Sequence, residues 1–489
     1  MSRILLSVLA ILPFLLPFPV NPNLLQAKYI ILLVGDGYGA NQLNAANIYT
    51  GEIPSYQSWT SYWVTTYPSG GSYDSTAAWT TIPYVTQNPT DSAAAATALS
   101  SGVKTANGRI NVSSDGQSRL TTIVEEARLS GLSTGGVTSV YISHATPGGW
   151  LAHNDSRTNG YAIADEALWG NPNTTGSIDD PYYGGGHGST LPAVDVLIGA
   201  GHPDWDGGSY VNQAIKTKLI VESGQPGKFS FIQRSAGFPG GSRLLSIADN
   251  PAVTRLVGLF GGMEGNLEYR LADGSGASSE NPTLAQMTKA ALTVLNRDPD
   301  GFVLMVEGGA IDKAAHANAM DEMIGEVIDF NNAIQTVIDW VDDPSNNSTW
   351  QSTLVIVTAD HETGYLAASP GGFPNQPLGE VSPRTLFLEK IQSDRGMRAS
   401  WEDTNVDNKI NFGETVYWAW NSANHTNSLV RIFVKGAGEV EFFHYAIGVD
   451  PVRGYYLDNT DIFKVMHSAL FGFIPRLIQK FYTPLLVSY

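Results

Sequence analysis

Asp312 and His316 stand four residues apart, so on a helix both side chains share one face and can clamp a single cation. That spacing alone reads more readily as an acidic helix start followed by a partly exposed histidine. Other groups of the same kind close apolar runs. Asp36 lies in Gly35-Asp36-Gly37 after 29–34, Glu307 follows 302–306, Asp360-His361 follows 354–358, and His144-Ala145-Thr146 follows 134–142 through Ser143. Taken singly, each is an ordinary turn or surface residue. Taken together, they are carboxylates and imidazoles at the ends of buried segments, where charge is costly unless paired or bound to metal. A hydroxyl completes the set. Ser92 precedes Ala93-Ala94-Ala95-Ala96, at the start of a strongly helical stretch. Ser92 or Asp91 there can simply cap a helix; the chemical reading is a nucleophile whose alkoxide is favoured by the helix dipole and a neighbouring cation.

The elements that must position these groups are visible as apolar runs at 29–34, 134–142, 194–199, 302–306, 354–358 and 429–434, alternating with helical patterns. Such alternation predicts an α/β fold, a central mostly parallel sheet with helices on both faces and loop insertions. Ligands in open sheets of this type collect at the carboxyl ends of the strands. Met320, Met323, Ile324, Val327, Ile334, Val337, Ile338 and Val341 keep a 3.6-residue rhythm, so this segment is a helix packing its apolar face on the sheet. Stretches 51–84, 169–188 and 366–424 are rich in Gly, Pro, Asn and Trp and read as insertions. One domain over 28–489 is expected.

With 489 residues, 43% of them hydrophobic, the chain can bury a large core. Lys and Arg number 28 against 46 Asp and Glu, a net −18 that repels nucleic acid and anionic membranes. An anionic substrate therefore needs a local positive site. The absence of Cys excludes a disulfide framework, a Cys-ligated zinc site and a thiol nucleophile. Residues 1–27, Met1-Ser2-Arg3 followed by an apolar run, read as an export signal, and Pro13, Pro17 and Pro19 make them a poor membrane span. An exported protein (periplasmic, cell-surface or secreted) without a stable transmembrane anchor is expected. The apolar stretch 470–489 contains Arg476, Lys480 and two prolines; docking on the body is the simplest expectation, with a subunit contact or a membrane surface as alternatives.

Asp91-Ser92 with its alanines, Gly102-Val103-Lys104-Thr105-Ala106-Asn107-Gly108, 307–316, Thr358-Ala359-Asp360-His361-Glu362-Thr363-Gly364 and Asn424-His425-Thr426 together resemble the alkaline phosphatase family. The resemblance runs from Tyr29 to about Met466 and keeps the family order. It implies a metal-dependent hydrolase of small-molecule phosphate monoesters, often homodimeric, working through a phosphoserine on Ser92. Asp312, His316 and His425 would hold a first zinc-type ion, with cobalt as a substitute, and Asp36, Asp360, His361 and the Ser92 oxygen a second. Asp36, Thr146 and Glu307 would form a third, magnesium-type site. Arg157, thirteen residues after His144, has the family spacing of the arginine that grips phosphate. His144 and Lys313 border the third site and the phosphate. Family members pair Asp with Lys there, or His with His or an aromatic residue, so His144 with Lys313 would let zinc or cobalt replace magnesium. Related folds include phosphodiesterases, sulfatases and phosphomutases, but Ser92 with Arg157 favours a monoesterase.

A separate oxygen-rich loop lies in the 366–424 insertion. Asp403, Asn405, Asp407, Asn411 and Glu414 occupy positions 1, 3, 5, 9 and 12 of an EF-hand-like loop, with the Lys409 carbonyl at position 7. Position 6, which needs positive φ, holds Asn408, the residue most tolerant of it after Gly. Calcium is the expected ligand.

Overall fold

The computed structural model describes residues 26–175, 186, 191–368, 390–392 and 397–472. Residues 1–25 of the expected export signal, most of the 169–188 insertion beyond Thr175 and the tail from 473 lie outside the described residues.

Tyr-Ile-Ile-Leu-Leu-Val-Gly has no polar face and forms β1 (Tyr29–Gly35), buried along its whole length, as a central parallel strand covered on both sides must be. Its neighbours are β7 (Phe302–Gly308) and β8 (Thr353–Ala359). Gly35 pairs with Gly308 on one side and Ala359 on the other, so the three strands finish level. That register puts Asp36, Glu307 and Asp360 along one rim.

The sheet continues through β2 (Thr60–Thr65), β3 (Ser133–Tyr141), β4 (Val196–Ala200), β5 (Ser230–Gln233), β6 (Leu256–Leu259), β9 (Val430–Gly436), β10 (Gly448–Asp450) and β11 (Gly454–Asp458). Its order among the described residues is β10-β11-β2-β9-β8-β1-β7-β3-β4-β6-β5. The run from β8 to β5 is parallel throughout, and β9 is antiparallel to both β8 and β2. Helices flank the sheet. The longest, Met320–Asp342, buries the predicted Met323, Ile324, Val327, Ile334, Val337 and Ile338, and one apolar cluster extends from Ala27 to Leu470.

One sequence expectation changes. Stretch 51–84 is not wholly an insertion, because β2 within it pairs with β9 and β11. Its polar first half, Thr-Ser-Tyr, is partly exposed and hides the strand from an apolar-run reading. The four-residue strands β5 and β6 and the strands β10 and β11 are likewise too short or too polar to stand out. The 366–424 insertion carries its own antiparallel sheet, in the order Leu366–Ala368, Val416–Trp420, Met397–Trp401, Lys390–Gln392. The oxygen-rich loop therefore sits at the tip of a hairpin, not between two helices. No described helix is long and apolar enough to cross a membrane.

Candidate metal and phosphate site

The helix Ser92–Ser101 starts at the rim of the sheet. Asp91 caps it by accepting from the Ala94 N–H at 2.9 Å, and its buried alanines permit close approach. A Cβ on Gly149 of the helix Ala145–Leu151 would stand 2.5 Å from Ala96 Cβ. The result is a buried Ser92 whose Oγ lies 3.2 Å from His361 Nε2.

Around that contact the expected residues fall into three adjoining groups. His361 Nε2 is 3.1 Å from Asp360 Oδ2 and 3.5 Å from Asp36 Oδ1. His316 Nε2 and His425 Nε2 are 3.0 Å apart and 3.4 and 3.5 Å from the two Asp312 oxygens. In the third group His144 Nδ1 lies 3.7 Å from Asp36 Oδ2 and 3.6 Å from Glu307 Oε1, while the Thr146 hydroxyl donates to Asp36 Oδ2 at 3.5 Å. Asp36 borders two groups at once, and His361 stacks on His425 with ring centroids 3.5 Å apart. Three sets, Asp312/His361/His425, Asp36/Asp360/His361 and Asp36/His144/Glu307, bring ligand-type atoms within 4.8 Å of one another.

Hydrogen bonds decide which ring nitrogens face inward. His425 Nδ1 donates to the Thr90 carbonyl at 2.9 Å and His316 Nδ1 to the Ala423 carbonyl at 2.6 Å. Thr363 Oγ1 donates to Asp312 Oδ1 at 2.6 Å, which leaves it to accept from His361 Nδ1 at 3.2 Å. In all three rings Nδ1 is engaged in this way, so Nε2, which carries a lone pair when the ring is neutral, points at the cluster, the orientation metal-binding imidazoles need. Two such lone pairs 3.0 Å apart repel unless a cation lies between or beside them.

The donor set passes a second test of fit. Asp36 Oδ1, Asp360 Oδ2, Glu307 Oε1 and His144 Nδ1 are buried without a hydrogen-bond partner, although buried polar atoms are normally satisfied. Burial, reinforced by neighbouring carboxylates, pushes Asp36 and Asp360 well above the usual carboxylate range, and burial pushes Glu307 up to about 7. Burial holds His144 and His361 well below the ordinary imidazole value. For Asp312 burial also acts upward, but His316 and His425 outweigh it and hold its carboxyl below the usual range. Lys313, half-buried, adds positive field at Asp36, Glu307 and Asp312. These residues fit two or three divalent cations far better than they fit one another.

Arg157 reaches the same crevice. One terminal nitrogen donates to Asp91 Oδ2 at 3.1 Å and the other to His144 Nε2 at 3.3 Å. Asp91 thus caps the Ser92 helix and aims the guanidinium, a role its sequence position as a plain capping residue did not disclose. Thr363, which bridges Asp312 and His361, and Thr138, which donates to Glu307 Oε2, were also missed. Their hydroxyls carry no sequence signal beyond adjacency, since only the fold brings Thr138 to Glu307.

The oxygen-rich loop stands apart from this cluster. Val406 and Asn408 both adopt positive φ, +59° and +57°. The Glu414 carboxylate accepts from the backbone N–H groups of Thr404 and Asn411 at 2.9 and 2.8 Å, and Asp403 from those of Asp407 and Asn408, both at 3.2 Å.

A shared ancestry accounts for this arrangement. The alkaline phosphatase family profile matches residues 27–471. The chain is similar to the alkaline phosphatase of Escherichia coli K12, 32% identical over 91% of this chain and 86% of that one. It is also similar to alkaline phosphatase 3 of Bacillus subtilis 168, 28% identical over 91% and 89%. Among solved structures, the cold-active alkaline phosphatase of Shewanella sp. aligns with a TM-score of 0.59 at 25% identity, over 90% of this chain and 99% of that one. The Thermus thermophilus enzyme shares the fold with a TM-score of 0.61 at 21% identity over 92% of each. The chain belongs to the alkaline phosphatase family and is a phosphate monoester hydrolase.

Proposed function

We propose that hydrolysis proceeds through a phosphoserine on Ser92. The observation that carries this reading is the Ser92 hydroxyl, buried 3.2 Å from an imidazole Nε2 whose other neighbours are two carboxylates. Asp312, His316 and His425 would hold a first zinc- or cobalt-type ion, and Asp36, Asp360, His361 and Ser92 Oγ a second. Asp36, Thr146 and Glu307 would hold magnesium. Bound there, divalent cations lower the proton affinity of the Ser92 hydroxyl, offset the phosphate dianion and stabilise the departing alcohol oxygen.

The chain's own groups do the rest. Ser92 Oγ, at a helix N-terminus that favours negative charge, loses its proton and bonds to phosphorus in line as the ester O–P bond breaks, and the departing alkoxide takes up a proton to leave as the alcohol. Arg157, braced by Asp91, turns its remaining N–H groups to the equatorial oxygens. The alcohol leaves on the side of Asp312, His316 and His425; water then attacks the phosphoserine from that side and regenerates Ser92. Arg157 donates to His144 Nε2 while His144 Nδ1 faces Asp36 and Glu307, so His144 would border the third site and let zinc or cobalt replace magnesium there. Lys313 adds attraction for the incoming anion.

The full reading is one catalytic unit over 28–489, exported by residues 1–27 and paired as a homodimer, with calcium held by Asp403, Asn405, Asp407, the Lys409 carbonyl, Asn411 and Glu414. The positive φ of Asn408 supports the loop assignment, and Ile410 at position 8 packs on the insertion's small core. The Ala27 N–H, however, donates to Ala469 O at 2.7 Å and Ala27 is buried, so processing after Ala27 would remove a contact of the fold. The decisive experiment compares a chromogenic monoester and a diester with wild type and Ser92→Ala, before and after chelation. Monoester hydrolysis that needs both Ser92 and divalent ions, with a trapped phosphoserine, is expected; activity surviving both treatments overturns the mechanism.

A further inference from the structure

Large apolar side chains facing solvent concentrate in one short stretch. Val440, Phe443, Ile447, Val449, Val452 and Tyr455 are each between 54% and 79% exposed. They lie at the edge of the sheet, where β10 is the outermost strand. Val449 pairs with Tyr455 across β10 and β11, so both side chains point to one face. Leu457, two residues beyond Tyr455, shares that face. It is buried in the same cluster as Ile462, Val465 and Met466 of the helix Asn459–Phe471. The apolar face of β11 therefore begins under this helix and continues uncovered over Tyr455 and Val449.

The end of the same helix lies beside the exposed stretch. A Cβ on Gly438 would meet Ala469 Cβ at 3.1 Å, and Lys464 Nζ stands 5.6 Å from the Tyr445 ring centre. The chain leaves at Gly472 and continues for 17 residues, 473–489. Ile474, Leu477, Ile478 and Phe481 recur there at helical spacing, ahead of Pro484. The only charged residues are Arg476 and Lys480, in a protein whose net charge is −18. Seventeen residues reach about 25 Å as helix and about 56 Å extended.

We propose that residues 473–489 dock on the face formed by Ile447, Val449 and Tyr455, covering the sheet edge of the chain that carries them. An apolar patch on an edge strand invites association; an apolar, weakly basic segment that follows Gly472 and is long enough to reach the patch supplies a cover within the same chain. The occupant is this segment of the same chain, not a second copy and not a lipid surface.

Hydrogen exchange of the peptides spanning 440–456 tests this, comparing the full chain with a variant ended at Gly472. Exchange at least tenfold faster in the shortened variant, at concentrations where both have monomer or dimer mass alike, is expected. A second pair avoids dependence on truncation: Ile447→Lys/Tyr455→Lys in the full chain should raise dye binding by exposed apolar surface and free residues 473–489 to trypsin at Arg476 and Lys480. Monoester hydrolysis should stay within twofold in every variant. Unchanged exchange overturns the proposal. Protection that rises with protein concentration and persists without 473–489 assigns the face to a second copy and overturns it as well. So does protection that appears only with vesicles of phosphatidylcholine and phosphatidylglycerol.

Discussion

Two parts of this molecule gather oxygen ligands, and they differ in what those ligands lack. In the crevice at the ends of β1, β7 and β8, Asp36, Glu307 and Asp360 are fully buried, and each leaves one oxygen unpartnered. In the hairpin loop, the Asp403 and Glu414 side chains are only half-buried, and their carboxylates already accept backbone N–H groups. The Asn411 and Thr404 N–H groups hold Glu414 below the usual carboxylate range, whereas burial drives Glu307 up to about 7. Buried charge without a counterion is expensive; half-buried charge already met by N–H groups is far less so. The crevice therefore requires cations, and the loop at most accepts one. Similar ligand lists thus have different consequences, set by depth.

The largest expected effect strikes the crevice. Ser92→Ala should lower kcat on a chromogenic monoester roughly 10⁴-fold or more and abolish the trapped phosphoserine. Chelation then separates the two regions. Stripping divalent ions should abolish hydrolysis, and restoring zinc and magnesium to about 1,000 times Kd should return about 4 kcal/mol of stability per occupied site in denaturant titrations. Asp407→Asn in the loop should leave kcat/KM within about twofold and stability within about 0.5 kcal/mol. A large loss from Asp407→Asn would break the contrast.

Thr363→Val sharpens it from inside the crevice. Losing the hydroxyl that joins Asp312 to His361 should weaken zinc binding about 10- to 100-fold, measured by competition with a chromophoric chelator, and Thr363→Ser should recover most of it. The smallest effect is on pH. Glu307 moves from an ordinary value of 4.5 up to about 7 on burial. In metal-free protein the stability tied to its proton is complete below pH 4.5 and is lost as pH rises through 7, a swing of about 3 kcal/mol. Glu326, buried and also raised to about 7, contributes the same slope with or without metal. The denaturation midpoint should therefore fall more steeply between pH 5 and 8 in metal-free protein than in metal-loaded protein. Parallel slopes would remove Glu307 from the cation site.

Much of this is legible in the amino-acid sequence. The parallel strands announce themselves because a strand buried on both faces has no polar residues to interrupt it, as in 29–34, 302–306 and 354–358. The ligand residues stand out because Asp and His directly after such runs have no reason to be there on packing grounds. β2 escaped because its first half faces solvent, and β5 and β6 because four residues are too few for a pattern. Asp91 and Thr363 stood inside recognised motifs without a role, since a hydroxyl or a carboxylate that positions another side chain looks the same in sequence as one that caps a helix.

The sequence by itself determined the local terms: which segments must be buried, where each chemical group leaves its strand, and how the Ser92 helix begins. These follow from side-chain polarity and backbone geometry over a few residues. Strand order and register, which set distances between residues hundreds of positions apart, alone bring Asp36 to His361, Asp312 to His425, and Thr138 and His144 to Glu307. Tertiary contacts also set which nitrogens of His316 and His425 face inward, since the carbonyls of Ala423 and Thr90 reach those rings only once distant segments lie side by side, whereas Thr363, two residues from His361, orients its ring locally.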